Sequence, residues 1–201
     1  MPPLIQFERV TYRHPGSDKS SPPALNDISL SIDPGEWVAI VGANGSGKTT
    51  FARHCNALLL PSHGRVLIAG KDSAVQSSLP QIRAGIGMVF QNPEDQIVAT
   101  LIEEDTAFGP ENLAVLPAEI RARVAAALET VKMSGHKEQL PHLLSAGQKQ
   151  RVALAGVLAM QPECVIFDES TAMLDPRGRL DVLAEMQALH NRGITVLFIT
   201  H

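Results

Sequence analysis

Apolar residues at Ile28, Leu30 and Ile32 alternate with polar ones, the pattern of a strand with one buried face, and Asp33-Pro34-Gly35 closes it with a turn. Residues 4–12 read as an earlier strand, and the Pro/Gly/Ser-rich stretch 14–23 as the loop between the two. Residues 37–41 are apolar without alternation, which predicts a strand buried on both faces, and residues 47–60 then change to helix-compatible composition. Residues 65–69 and 87–90 follow as short strands. From 92 to 143 β-branched runs are scarce and the chain reads as mainly helical. Ile120, Val124, Leu128 and Val131 recur at helical spacing, with Arg121, Arg123 and Glu129 on other faces, so an amphipathic helix is predicted over 117–133. Residues 163–168 form a buried strand ending in two carboxylates, 176–191 a helix and 194–200 another strand. No internal repeat or low-complexity tract interrupts this order. The pattern is that of one α/β domain over residues 1–201, with a helical insertion between about residues 92 and 156.

Composition narrows the setting. A chain of 201 residues with 44% hydrophobic content can bury a sizeable core. The net charge of −4 comes from interspersed residues of both signs, with no basic run to track a phosphate backbone, so nucleic acid is not an expected partner. Cys55 and Cys164 stand far apart and outside any C-x-x-C pattern; neither a disulfide framework nor a zinc knuckle is expected, and a reducing cytoplasm is the expected compartment. The longest apolar runs fall far short of the roughly 20 residues of a membrane helix, and the N-terminus lacks a signal-peptide pattern. Any membrane role is therefore expected to be peripheral.

Gly42-Ala43-Asn44-Gly45-Ser46-Gly47-Lys48-Thr49 matches G-x-x-x-x-G-K-[ST], set between a predicted strand and a predicted helix. Phosphates need many donors in a small space. Glycines let the backbone curl so that successive N–H groups point inward, and the helix N-terminus adds its positive end. Lys48 would reach the terminal phosphates and the Thr49 hydroxyl would ligate Mg²⁺. The loop predicts a nucleotide bound with Mg²⁺, and ATP binding and hydrolysis is the expected activity once the motifs below are added; by itself the loop would also fit a GTPase, a kinase or a motor.

Cys164-Val165-Ile166-Phe167-Asp168-Glu169 supplies the companion feature, an apolar strand delivering carboxylates to its C-terminal end, where α/β ligand sites lie. Asp168 would hold Mg²⁺ through its water shell. Glu169 would orient and polarise the attacking water, because phosphoryl transfer depends on positioning and charge stabilisation. Leu144-Ser145-Ala146-Gly147-Gln148 opens a further helix. Ser145 and Gln148 have capping-box spacing, and the same N-terminus is an anion site able to receive a phosphate from outside the subunit.

These motifs in this order resemble an ATP-binding cassette (ABC) ATPase over almost the whole chain. The resemblance implies an α/β P-loop NTPase core with an antiparallel β subdomain and the helical insertion. It places Thr50 with the phosphate loop among the ATP-binding residues. Ser145, Ala146, Gly147 and Gln148 resemble the signature that binds ATP in trans, with Ala146 where glycine is commonest. Gln91 resembles the glutamine that touches both Mg²⁺ and the nucleotide and reports to the membrane domain; His201 resembles the switch histidine at the γ-phosphate. Ala172-Met173-Leu174-Asp175 resembles the loop coupling two subunits, while Asp175-Pro176 also reads as a plain helix start. The adenine-stacking aromatic of the family is replaced by His14, and Tyr12, two residues earlier on the same strand face, is the alternative ring.

Finer resemblance lies in Gln91-Asn92-Pro93-Glu94-Asp95-Gln96, in Ala107-Phe108-Gly109 and in Ser170-Thr171-Ala172-Met173-Leu174-Asp175-Pro176. These are similar to the ATPases of energy-coupling factor transporters, importers of vitamins, cobalt or nickel; an ordinary ABC transporter ATPase is the alternative. The resemblance implies a second ABC ATPase subunit, in a homo- or heterodimer, together with a transmembrane coupling subunit and a substrate-binding membrane subunit. It also implies a peripheral position on the cytoplasmic side of the cell membrane, and a chain that continues beyond His201. A chromosome-organising cassette would separate Lys48 from Ser145 by a long coiled coil, which this chain lacks.

Overall fold

The computed structural model of the chain describes residues 2–18, 20–172 and 174–200. Its strands are β1 (Ile5–Tyr12), β2 (Leu25–Ile32), β3 (Trp37–Val41), β4 (His63–Ile68), β5 (Lys71–Asp72), β6 (Ile86–Val89), β7 (Cys164–Asp168) and β8 (Thr195–Thr200). Its helices are α1 (Lys48–Cys55), α2 (Leu79–Gly85), α3 (Ile102–Asn112), α4 (Pro117–Thr130), α5 (Ala146–Ala159) and α6 (Pro176–Asn191).

Two sheets organise these elements. One is antiparallel in the order β2-β1-β4-β5, and the other is parallel in the order β3-β8-β7-β6. Parallel neighbours require a crossover, and α3, α4 and α5 all lie in the one joining β6 to β7. The helical insertion is thus a single enlarged connection.

The parallel sheet separates two cores by strict alternation. On β7, Cys164 and Ile166 face the core shared with the antiparallel sheet and α1, while Val165 and Phe167 face the core made by the helical elements. All four are at most 1% exposed, which accounts for the uninterrupted apolar run. β3 departs from the same expectation. It is the edge strand of the described sheet, and Val41 is 68% exposed. Apolarity alone does not distinguish an edge from a centre.

Two helices end earlier than their composition suggests. At the end of α1, Ala57 takes a left-handed φ of 54°, and the Leu58 and Leu59 N–H groups both turn back to the Arg53 carbonyl. α4 stops at Thr130, before Lys132 enters the left-handed region at φ 59°.

Candidate nucleotide-binding site

The glycine loop links the C-terminal end of β3 to the first turn of α1. Gly47 sits at φ +92°, and a Cβ there would lie 2.4 Å from the Ala24 carbonyl oxygen, so only glycine fits. Lys48 is buried, with its Nζ donating to the carbonyls of Gly42 at 2.8 Å and Ala43 at 3.2 Å. The same ammonium lies 3.5 Å from Glu169 Oε1. The cation is therefore held at the centre of the loop, next to the acidic end of β7.

β7 places Asp168 opposite Ile199 of β8, and β8 pairs on its other edge with β3. That arrangement brings the Asp168 carboxylate to α1, where Thr49 Oγ1 donates to its Oδ1 at 3.0 Å. Burial pushes the Asp168 carboxyl above its ordinary pKa and the Glu169 charge adds to this, while the Thr49 hydrogen bond opposes it. A cation at this point would relieve the buried charge. A threonine hydroxyl beside a carboxylate is a hard-oxygen pair suited to Mg²⁺. Glu169 itself adopts a left-handed φ of 49°, a strained conformation for a non-glycine residue at the end of a strand. Met173 and His201 lie outside the described residues.

A cleft of about 790 Å³ opens over the loop, lined by Asn44 through Thr50 and by His14, Gln91 and Glu169. His14 is exposed at its rim, with Nε2 3.4 Å from Thr50 Oγ1. Tyr12 is only 6% exposed; it meets His14 and His54 edge-on and belongs to the core. Of the two candidate rings, His14 is the one in the cleft.

Ser145, Ala146, Gly147 and Gln148 line a second cleft of about 580 Å³, together with Arg151, Leu174, Asp175 and Gly178. The two clefts share no lining residue. The capping box is present: Ser145 Oγ accepts from the Gln148 N–H, and Gln148 Oε1 accepts from the Ser145 N–H. Asp175 caps α6 in the same way, accepting from the Gly178 N–H at 2.9 Å. Gly147 has no such local duty. A Cβ there would meet only Leu174 Cδ2, at an ordinary 3.9 Å.

Arg151 and Gln150 are not singled out by the sequence, and Gln96 enters there only as part of the Gln91 to Gln96 resemblance, without its contact to α5. Arg151 reaches from α5 to Asp181 at 2.6 Å and Glu185 at 3.5 Å on α6, while Gln96 and Gln150 hold the Gln91 segment against α5. No local signal marks Gln150, which stands in the polar run Gln148-Lys149-Gln150-Arg151 and yet is buried.

The ABC transporter family pattern matches residues 25–172. The energy-coupling factor transporter ATP-binding protein EcfA1 of Clostridium novyi is 51% identical over 199 residues, covering 98% of this chain and 71% of that protein. Its counterpart from Symbiobacterium thermophilum is 56% identical over 204 residues, covering 99% and 71%. Among solved structures, cbiO1 from Clostridium perfringens, part of the ABC transporter complex cbiONQ, superposes with a TM-score of 0.87 at 36% identity, covering 100% of this chain and 79% of that one. The cassette MJ0796, solved as a dimer in a post-hydrolysis state bound to ADP and Pi, also gives 0.87, at 29% identity and coverage of 98% and 88%. With the phosphate loop, the acidic end of β7 and the capped α5 in one fold, the chain belongs to the ABC transporter family as an ATPase of the energy-coupling factor type.

Proposed function

We propose that the chain binds ATP between its own phosphate loop and the Ser145 to Gln148 segment of a second ATPase subunit, and that hydrolysis there energises uptake of a micronutrient, a vitamin or a cobalt or nickel ion. The observation that carries the two-subunit site is the separation of the clefts, which have no residue in common. A nucleotide in one cleft leaves the signature cleft of the same chain unused. The names of the relatives and the dimeric form of the MJ0796 cassette agree with this reading.

Within the site, the Gly42 to Thr49 backbone and Lys48 hold the phosphates, and His14 faces the base. Thr49 and Asp168 would hold Mg²⁺, with Gln91 facing the same cleft. When bound there, the ion would supply charge neutralisation on the transferred phosphoryl group. Glu169, beside Lys48, orients the attacking water and accepts hydrogen bonding from it. On binding, the phosphates draw Lys48 away from the Gly42 and Ala43 carbonyls, to which it now donates. His201 acts at the γ-phosphate and Asp175 joins the subunits. No described helix is long and apolar enough to cross a membrane, and the chain acts at the cytoplasmic face through a transmembrane coupling subunit and a substrate-binding membrane subunit.

Complementation tests the central claim. Lys48→Ala and Gly147→Asp chains, each inactive alone, are mixed and assayed for phosphate release. A site built in trans leaves one intact composite site in the mixed dimer, so turnover returns. If each chain used its own signature, mixing would recover nothing.

A further inference from the structure

The Phe90 backbone, next to Gln91, is held on both sides by glutamine side chains. Its N–H donates to Gln96 Oε1 at 3.2 Å, and its carbonyl accepts from Gln150 Nε2 at 3.3 Å. Gln96 then donates from Nε2 to the Ala153 carbonyl at 3.3 Å. Gln150 and Ala153 both belong to α5, so the four groups form a closed ring from α5 to the Gln91 segment and back. Gln150 is 3% exposed, and a buried amide is retained in an apolar helix face only where its hydrogen bonds are used. At the rim of the ring, Lys149 of α5 forms an ion pair with Glu94 of the same segment, which holds the Glu94 carboxyl below its ordinary pKa.

The position of this ring along α5 gives it a consequence. Ser145, at the helix N-cap, precedes Gln150 by five residues, about 7.5 Å at 1.5 Å per residue. One rigid stretch of helix therefore carries both the signature face, presented to a second subunit, and the anchor of Gln91, which faces this subunit's own phosphate loop.

We propose that Gln150 is a positioning residue, which through the Phe90 carbonyl fixes Gln91 to the signature helix so that the two move as one body. The inference rests on the two-subunit reading above. Gln150 lines neither cleft; its role is exercised through Gln91 on one side and Ser145 on the other.

Gln150→Leu keeps the side-chain volume and removes the amide. In the intact protein it leaves ATP affinity within about twofold of wild type while kcat falls by about tenfold, the weight of one buried hydrogen bond. Hydrogen exchange accelerates together at residues 90–97 and in the first turn of α5. The Lys149–Glu94 pair provides a second variant set at the more exposed rim. Lys149→Glu and Glu94→Lys each lower kcat, and the swapped double variant restores it. Unchanged kcat in Gln150→Leu, a parallel loss of ATP affinity, or a double variant no better than the singles would each overturn the inference. Failure of the mixed Lys48→Ala and Gly147→Asp chains to recover turnover would instead overturn the underlying two-subunit reading.

Discussion

Thr49 Oγ1 donates a hydrogen bond to Asp168 Oδ1 across 3.0 Å, joining residues 119 positions apart in the chain. One stands in the first turn of α1 and the other at the end of β7, so the contact exists only once the parallel sheet is assembled. Its two oxygens are the proposed anchor for Mg²⁺.

Asp168→Asn separates metal binding from folding. The native carboxyl is buried and pushed above its ordinary pKa by that burial, so a neutral amide of the same shape leaves thermal stability equal or higher. Turnover falls by about 10²-fold or more, as expected when a preorganised charge at the transferring group is lost. Phosphate release titrated with Mg²⁺, alongside a thermal melt, checks both halves.

Glu169→Gln retains the shape of the side chain but removes the charge 3.5 Å from Lys48. ATP still binds, hydrolysis stalls and the nucleotide-bound dimer persists. Size-exclusion chromatography with Mg-ATP should show a stable dimer containing unhydrolysed ATP; wild-type turnover in this variant would remove Glu169 from the catalytic step.

Gly147→Ala is expected to improve the isolated chain and impair its activity. The added methyl meets only Leu174 Cδ2 at 3.9 Å, so it fits without displacement and adds helix stability, by less than the roughly 0.5–1 kcal/mol of a mid-helix site because Gly147 stands in the first turn. The face it occupies is the one proposed to receive a partner's phosphate. A raised melting temperature combined with weaker ATP-dependent dimerisation is the predicted signature.

Glu185 sets a pH dependence of stability. Burial, aided by the Asp181 charge, raises its carboxyl from 4.5 to about 7 against the opposing Arg151 and Lys132 charges. The folded state thus binds a proton that the unfolded state has already released between those values. Its stabilising proton is fully present below the unfolded value and is lost as pH rises through about 7. Glu185→Gln removes this dependence. Relative to wild type, the variant gains stability as pH rises from 5 to 8, measured by urea unfolding at several pH values.

Much of this architecture could be read from residue order alone. The alternation in β2, the unbroken apolar run of β7 and the helical spacing of Ile120, Val124 and Leu128 are local patterns, and each formed the element its pattern predicts, although Leu30 of β2 is exposed. The phosphate loop is local in the same sense, since Gly47 accepts its positive φ within a few residues of Lys48. The capping spacing of Ser145 and Gln148 likewise became a capping box. Where local pattern misled, the cause was an environment it does not encode: β3 has the composition of a strand buried on both faces but is partly exposed at an edge of the described sheet.

The site's chemistry depended on relations no short window contains. Sheet order brought Asp168 to Thr49, burial left His14 rather than Tyr12 in the cleft, and the packing of α5 against the Gln91 segment closed the ring through Gln150. Periodicity states which face of an element seeks the core. It carries no information about which distant element will meet that face, because many pairings bury similar apolar area and only the assembled chain satisfies the polar groups of one of them.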